Sequence, residues 1–475
     1  MKNTFPFNFL FYDYETFGTD PILDKPSQFA CIRTDFNFNI INKPIILYCY
    51  PPIDYLPNPE SVLITSITPQ YTRKYGLNES NFSKKIYNIL NLPNTCIIGY
   101  NNIAFDDEIT RNIFYRNFFD SYEWSWKNNN TRWDVLSLVR AFYSLRPKGI
   151  NWNKSNLHPI SLKLSNLTKL NNIDHYKSHD ALSDVYSTLN LLILLKKTNI
   201  KFFNFLFFIR KKKNILKLIT KNFFKPLIYI SSYFGSEKNY FGRILPLIIH
   251  KKNKNILIAF DLDNDYFFDD FKNKNFIENF NLKNLFSIGI RFIYLNKFPV
   301  LIPLNALRKK DIIRLKLNQK RFLENLFFFK KYFNFKIINK LSKIKFKKKV
   351  YKHIDSKLYE SFFSYFDKKK IYFFRKLINK NIIQDDFKIF DNRFSDLLFF
   401  FQARNFENTL SKINQYRWKK YLLKFFSYKK IFLYKEKIFS LKKKYYKDKK
   451  KIYLLKELLL YLKFLIKIIK KKIKK

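Results

Sequence analysis

Hydrophobic and polar positions along the first 200 residues follow two periods. Phe7 to Tyr14 is a short, nearly unbroken apolar run, and Gln28–Thr34 and Ile45–Tyr50 repeat it, which predicts three neighbouring strands. Thr95–Tyr100 is a fourth such run, closed by the turn-forming residues Gly99-Tyr100-Asn101-Asn102. Helical spacing covers Asp107–Phe119, Trp133–Tyr143 and Asp180–Leu195. Strands first, then strand and helices in alternation, predict a mixed α/β sheet.

The pattern changes after the lysine-rich joint Arg210–Lys213 and Pro226. Four short β-like runs, Leu227–Ser231, Ile244–His250, Ile256–Asp261 and Ile288–Tyr294, are separated by Asn, Asp and Gly turns and predict a small β-rich barrel or sandwich. A second basic run, Lys343–Lys349, precedes a final segment with helical spacing and almost no turn residues, ending in the Leu/Ile/Lys-dominated stretch Lys451–Lys475. No repeat of solenoid period is present, and lysines interrupt every long apolar stretch, so no membrane span is expected. Met1 to Phe11 has no small-residue cleavage site after its apolar stretch, so no signal peptide is expected and the location implied is cytoplasmic.

Composition narrows the class. The chain of 475 residues carries 90 Lys+Arg against 37 Asp+Glu, a net +53, yet 47% of it is hydrophobic, which excludes a disordered basic tail. Its three cysteines, Cys31, Cys49 and Cys96, exclude a disulfide scaffold. The charge points to a polyanion partner, above all nucleic acid. The scarcity of Gly, at 7, alongside abundant Lys, Asn, Ile, Phe and Tyr equally fits A/T-rich codon bias. Residues 1–200 hold only +4 of the net charge, and the remaining 275 hold +49.

The sharpest chemical signal lies in the least charged part. In Asp13-Tyr14-Glu15 the two acids are two apart at the end of a predicted strand, so both project from one face. Paired acids there repel unless a cation lies between them, and Mg²⁺ or Mn²⁺ fits oxygen ligands. Asp106 opens the run Asp106-Asp107-Glu108 at a helix start, where capping and the helix dipole account for at least one of the three acids. His179 precedes a helix that carries Asp184 among Leu, Ile and Val, where an unpaired acid would be costly. The set runs in one order: D-x-E, then an aspartate about 90 residues on, then H-x4-D about 75 further.

That order resembles the DEDDh 3′→5′ exonucleases. Position 180, where a related branch has tyrosine, is Asp180 here. The stretches Phe11–Gly18, Gly99–Tyr115, Arg146–Trp152, Pro226-Leu227, Ser231–Gly235 and Phe400–Thr409, with Ala403-Arg404-Asn405-Phe406, are similar to the bacterial exodeoxyribonuclease I family over nearly the full chain. The likeness weakens in 336–349 and in the lysine-rich tail. It implies an RNase H-like α/β nuclease domain over 1–198, an SH3-like β-rich domain over 199–348 and an all-α domain over 351–475. It further implies that Asp13, Glu15, Asp106 and Asp184 hold two Mg²⁺ ions, for which Mn²⁺ can substitute, and that His179 is the general base. The substrate implied is single-stranded DNA, degraded from the 3′ end to nucleoside 5′-monophosphates in DNA repair and recombination. The other implied partner is the acidic C-terminal tail of single-stranded-DNA-binding protein, with the enzyme a monomer.

Arg111, Arg116, Tyr122, Trp124, Trp126, Arg132, Trp133 and Arg140 form a dense aromatic and basic stretch. Such residues suit strand binding, and half of them equally suit core packing. By resemblance, Arg111, Tyr122, Trp126 and Arg140 are DNA contacts and Glu15 and Lys163 meet the substrate. Lys163 departs from the family's arginine, keeping the charge but losing the bidentate fork. Asp261–Asp265 imitates a calcium loop, but Tyr266 replaces the sixth-position glycine and Lys272 the twelfth-position glutamate, so it reads as a strand end with solvated acids. Three alternatives stand beside the main reading: an RNA-degrading DEDDh enzyme, a non-catalytic single-strand binder, and a membrane-surface protein using Lys451–Lys475.

Overall fold

Alternation along β1 (Asn8–Thr16) sorts its side chains onto two faces. Leu10, Tyr12 and Tyr14 pack with Phe29 and Cys31 of β2 (Pro26–Thr34) in one core, whereas Phe9 and Phe11 on the opposite face give way to Asp13 and Glu15. The computed structural model describes residues 7–153, 160–176, 178–265, 282–346, 350–379 and 389–474. With β3 (Ile45–Tyr48), β4 (Thr95–Gly99) and β5 (Thr131–Asp134), these strands form a sheet in the order β3-β2-β1-β4-β5. β1 pairs antiparallel with β2 and parallel with β4, so the sheet is mixed as expected.

Three helices precede β4: α1 (Pro59–Thr65), α2 (Pro69–Tyr75) and α3 (Glu79–Leu90). None is predicted from the sequence, because the residues that start them look like turn formers. Asn58, Thr68 and Asn78 cap them, and Pro59 and Pro69 occupy their first turns. α4 (Asp106–Arg116) follows β4 and supplies Ile109, Ile113 and Phe114 to the core shared with Phe82, Ile86 and Leu90 of α3. The helix expected from Trp133 starts later: Asp134 ends β5 and caps α5 (Val135–Leu145), accepting from the Leu136 N–H at 3.0 Å. α6 (Leu164–Leu170) and α7 (Ala181–Thr198) follow.

The chain divides into two compact units, Met1–Arg132 with His175–Tyr186 and Lys348–Lys475, and Trp133–Asp174 with Ser187–Lys347. The first unit includes the helices Tyr365–Asn379, Arg393–Asn405, Lys412–Phe425, Tyr428–Lys444 and Lys449–Lys474, as the periodicity predicts. Tyr115 and Phe118 enter a core with Phe374, Phe394 and Phe401, and Phe17 and Val62 enter another with Ile438, Leu441 and Leu455.

In the second unit, β6 (Leu227–Ile230), β7 (Phe241–Ile249), β8 (Ile256–Asp261), β9 (Ile290–Tyr294) and β10 (Val300–Pro303) form an antiparallel sheet in the order β10-β6-β7-β8-β9. Pro246 lies inside β7 at a register shift, where a missing N–H is tolerated. The β-rich expectation holds for this core, but Ile200–Ile209, Lys212–Lys221, Gln319–Tyr332 and Phe335–Leu341 are helices. Phe328, Phe329, Ile337 and Ile338 of the last two pack on the sheet through Leu245, Ile258 and Phe260. Asp261 and Asp263 are not solvated acids: Asp261 is fully buried beside Arg291, and Asp263 accepts from the Arg243 guanidinium at 2.7 Å. Tyr266 and Lys272 lie outside the described residues. Among the described residues no helix is long and apolar enough to cross a membrane.

Candidate active site

Asp13 and Glu15 share the face of β1 opposite the Tyr12 and Tyr14 core, Glu15 buried and Asp13 half-buried. α4 then brings Asp106 to the same strand. The Asp106 carboxylate accepts from the Tyr14 backbone N–H at 3.1 Å, so the acid is seated between Asp13 and Glu15 in sequence. Gly99 lets the β4–α4 turn close: a Cβ there would stand 2.7 Å from the Asn102 Cβ and 3.1 Å from the Tyr12 carbonyl oxygen.

The acids of the first turn of α4 all meet the positive end of the helix dipole, as expected, but none caps the helix and each has a separate task. The helix has no side-chain cap. Asp107 is fully buried and accepts from Tyr12 Oη at 2.6 Å, from Asn102 Nδ2 at 3.1 Å and from the Arg132 guanidinium. Glu108 pairs with Arg111 at 2.5 Å and accepts from Tyr359 Oη. Only Asp106 remains turned to the strand carboxylates.

α7 supplies the rest. Gln28, opposite Glu15 in the β1–β2 register, accepts from the Ala181 N–H at 3.1 Å through its Oε1 and so pins the start of α7 beside the acids. Asp180 caps the helix, accepting from the Ser183 N–H at 3.3 Å. His179, immediately before, adopts a left-handed φ of 63°, a conformation uncommon outside glycine, and its side chain is exposed. Ligand atoms of Glu15, His179 and Asp184 all lie within 4.8 Å of one another. Asp184, half-buried, also meets His175 Nε2 at 2.5 Å and the His179 backbone N–H.

The electrostatics are those of excess negative charge. Burial pushes the Asp13 carboxyl well above the usual range, and the charges of Asp106, Asp184 and Glu15 push it further. Asp184 is also raised, by burial, against the opposing hydrogen bond and charge of His175. Glu15, Asp184 and the exposed His179 imidazole, with Asp13 and Asp106 beside them on β1 and α4, are a donor set for hard divalent cations.

The expected strand contacts divide between the units. In the first, the Arg111 guanidinium lies 5.8 Å over the Tyr122 ring, Tyr122 meets Phe362 edge-on at 5.6 Å, and Trp126 is 63% exposed. Tyr122 walls a cavity of about 560 Å³ with Tyr87, Phe362, Tyr365, Lys368 and Lys376. Arg116, Trp124 and Arg132, from the same basic and aromatic stretch, are core residues: Arg116 binds Glu79 at 2.8 Å, and Trp124 is fully buried. In the second unit, Trp133 is buried, Arg140 lies 5.7 Å over the Tyr240 ring, and Lys163 is exposed at the start of α6.

Sequence reasoning missed His175 and Gln28. A signal for His175 exists, since only 5 histidines occur in the chain and two of them stand four residues apart before Asp184. Gln28 gives none, because its role depends on strand register.

A mixed sheet with acids at the end of its central strand and on the helices that follow places the first 200 residues in the class of exonuclease domains, and residues 10–192 match the family model described as Exonuclease. Residues 210–348 match the Exonuclease I SH3-like domain and 352–465 the Exonuclease I C-terminal domain. Exodeoxyribonuclease I of Buchnera aphidicola subsp. Baizongia pistaciae is 49% identical over 92% of this chain and 91% of its own, and that of Escherichia coli K12 is 41% identical over 86% and 88%. E. coli exonuclease I solved with a dA16 oligonucleotide aligns with a TM-score of 0.87 at 37% identity, covering 97% of this chain and all of that one. A structure described as SSB/Exonuclease I in complex with an inhibitor aligns at 0.89, with 38% identity and the same coverage. The chain belongs to the bacterial exodeoxyribonuclease I family, with an α/β nuclease domain, an SH3-like domain and a helical C-terminal domain; it is a nuclease of the hydrolase class, and its family implies divalent metal.

Proposed function

We propose that this protein degrades single-stranded DNA from the 3′ end, releasing nucleoside 5′-monophosphates in DNA repair. The observation that carries the reading is the cluster of Glu15, His179 and Asp184 ligand atoms within 4.8 Å of one another, with Asp106 held on the Tyr14 N–H between Asp13 and Glu15 in sequence and Asp13 feeling the charge of all three acids. These residues fit two Mg²⁺ ions, with Mn²⁺ able to substitute; when bound, the ions stabilise the attacking and leaving oxygens of an in-line displacement at phosphorus. His179, exposed beside Glu15 and Asp184, takes the proton of the attacking water as general base. Glu15 also meets the terminal nucleotide, as does Lys163. Arg111, Tyr122, Trp126 and Arg140 hold the strand by stacking and phosphate contact, and the aromatic and lysine-lined cavity beside Tyr122 suits such a strand.

We assign the domains to 1–198, 199–348 and 351–475, and the protein to the cytoplasm as a monomer. The net +53 and the SSB-containing relative support docking of an acidic single-stranded-DNA-binding protein tail. The test is degradation of 3′-labelled and 5′-labelled single-stranded DNA, duplex DNA and RNA, with Mg²⁺ and with EDTA. Loss of single-stranded DNA from the 3′ end only, abolished by EDTA, is expected. A preference for RNA, or binding without cleavage, would overturn the assignment.

A further inference from the structure

His175 makes a close contact with a carboxylate of the candidate site. Its Nε2 stands 2.5 Å from Asp184 Oδ1, and its side chain is only 8% exposed, against an exposed His179 four residues later. The two histidines therefore occupy different places around one carboxylate. His179 is exposed with a ring nitrogen near Glu15 and Asp184, while His175 is nearly buried against Asp184. A carboxylate oxygen is an acceptor, so the Nε2 facing it carries the proton and donates.

Asp184 needs such a donor. It stands in the first turn of α7, its carboxyl is raised by burial, and the hydrogen bond and charge of His175 come next among the influences on it and oppose that rise. A carboxylate with two rotatable bonds and like-charged neighbours would otherwise turn away from them. A hydrogen bond to Oδ1 fixes the plane of the group, and each oxygen has two lone pairs, so a donor and a cation can share it. Partners behind a metal ligand act in this way: they set orientation and charge without touching the ion.

We infer that His175 is a positioning residue that holds Asp184 ready for a divalent cation, while His179 alone faces the reacting water. The inference rests on the metal-dependent reading of the site, and the experiment separates the two. Mn²⁺ binding to the full-length protein, without DNA, is measured from the free-ion electron paramagnetic resonance signal for wild type, Asp184→Asn, His175→Ala and His175→Gln. Affinity for a single-stranded oligonucleotide in EDTA and thermal unfolding in EDTA are measured alongside.

His175→Ala is expected to weaken Mn²⁺ binding by about 10–100-fold, with cleavage recovering as metal is raised. Strand affinity in EDTA should stay at the wild-type value, and the unfolding temperature in EDTA should fall by no more than the few degrees that one lost hydrogen bond costs. His175→Gln, whose Nε2 can donate from a similar position, should lie within about threefold of wild type. Unchanged Mn²⁺ affinity in His175→Ala would overturn the inference. So would a parallel loss of EDTA unfolding temperature and strand affinity, which would make His175 a packing residue. If wild type takes up no Mn²⁺, or Asp184→Asn binds it as well as wild type does, the metal reading itself fails and this inference falls with it.

Discussion

Two clusters of aspartate and glutamate in the first unit behave oppositely. In the candidate active site Asp13 is pushed up by burial and by neighbouring carboxylates, and Asp184 by burial, against the opposing influence of His175 and His179. In the second cluster Lys25 meets Asp355 at 3.0 Å, and Arg404 bridges Asp355 and Asp54 at 2.9 Å each. Nearby, Arg116 holds Glu79 at 2.8 Å. Burial alone would raise these acids too. Yet Arg404 and Lys25 hold Asp355 well below the carboxylate range, and Arg116 and Lys25 bring Glu79 to about 2. One cluster is satisfied by its own chain across 300 and more residues of sequence; the other is left short of positive charge, which suits a cation from solvent.

The largest effect that tests this contrast is on chemistry. His179→Ala and Asp184→Ala should each lower cleavage by about 10²–10⁴-fold or more while leaving single-strand affinity in EDTA largely intact. Near-normal turnover of either purified variant would refute the site. Arg404→Ala should do the reverse, lowering stability by about 3–5 kcal/mol by leaving Asp54 without its arginine and Asp355 with Lys25 alone, read from the urea midpoint. If Asp184→Ala also destabilises the metal-free protein, the two clusters do not differ as argued.

The pH dependence sharpens the comparison. Glu79 and Asp355 have depressed folded pKa values, so their stabilisation is present above the unfolded pKa of about 4 and is lost as the pH falls through the folded values, about 2 for Glu79. Asp13 and Asp184 have raised values, so they penalise folding at neutral pH, and that penalty fades as the pH falls toward them. In EDTA, stability should hold or rise on mild acidification before falling below about pH 4. Saturating Mg²⁺ should abolish the rise, and Asp13→Asn should remove most of it. Chemical denaturation across the pH range with and without metal reads both. The smallest effect concerns Lys163, where Lys163→Arg should tighten oligonucleotide binding a few-fold, about 1 kcal/mol, by restoring a bidentate fork. No change would remove Lys163 from the substrate contacts.

The parts of the site that could be read from the sequence obey short-range rules. Side-chain alternation in β1 put Asp13 and Glu15 on one face, and helical spacing over Asp107–Phe119 and Asp180–Leu195 marked the helices at Asp106 and Asp184. The acid that belongs to the site was not separable from its neighbours in that way. Asp107 and Glu108 were told from Asp106 only by Arg132, Tyr12, Arg111 and Tyr359. Helices over 319–341 were invisible for a related reason: Phe, Ile and Lys without turn residues fit a helix or a strand, and packing against β8 decides.

The sequence by itself determined the class of chemistry and the order of its parts, because strand parity and helix starts act over a few residues. It also showed that the +53 is not where the chemistry lies, since the candidate site falls in a segment of net +4. Only the tertiary structure decided which acids keep a cation of their own. Arg404 reaches Asp54 across 350 positions, Gln28 reaches Ala181 across 153, and His175 reaches Asp184 around a left-handed turn at His179. Whether a carboxylate is neutralised by its own chain or left to bind a metal depends on distances of a few ångströms between residues far apart in sequence, and folding alone sets those distances.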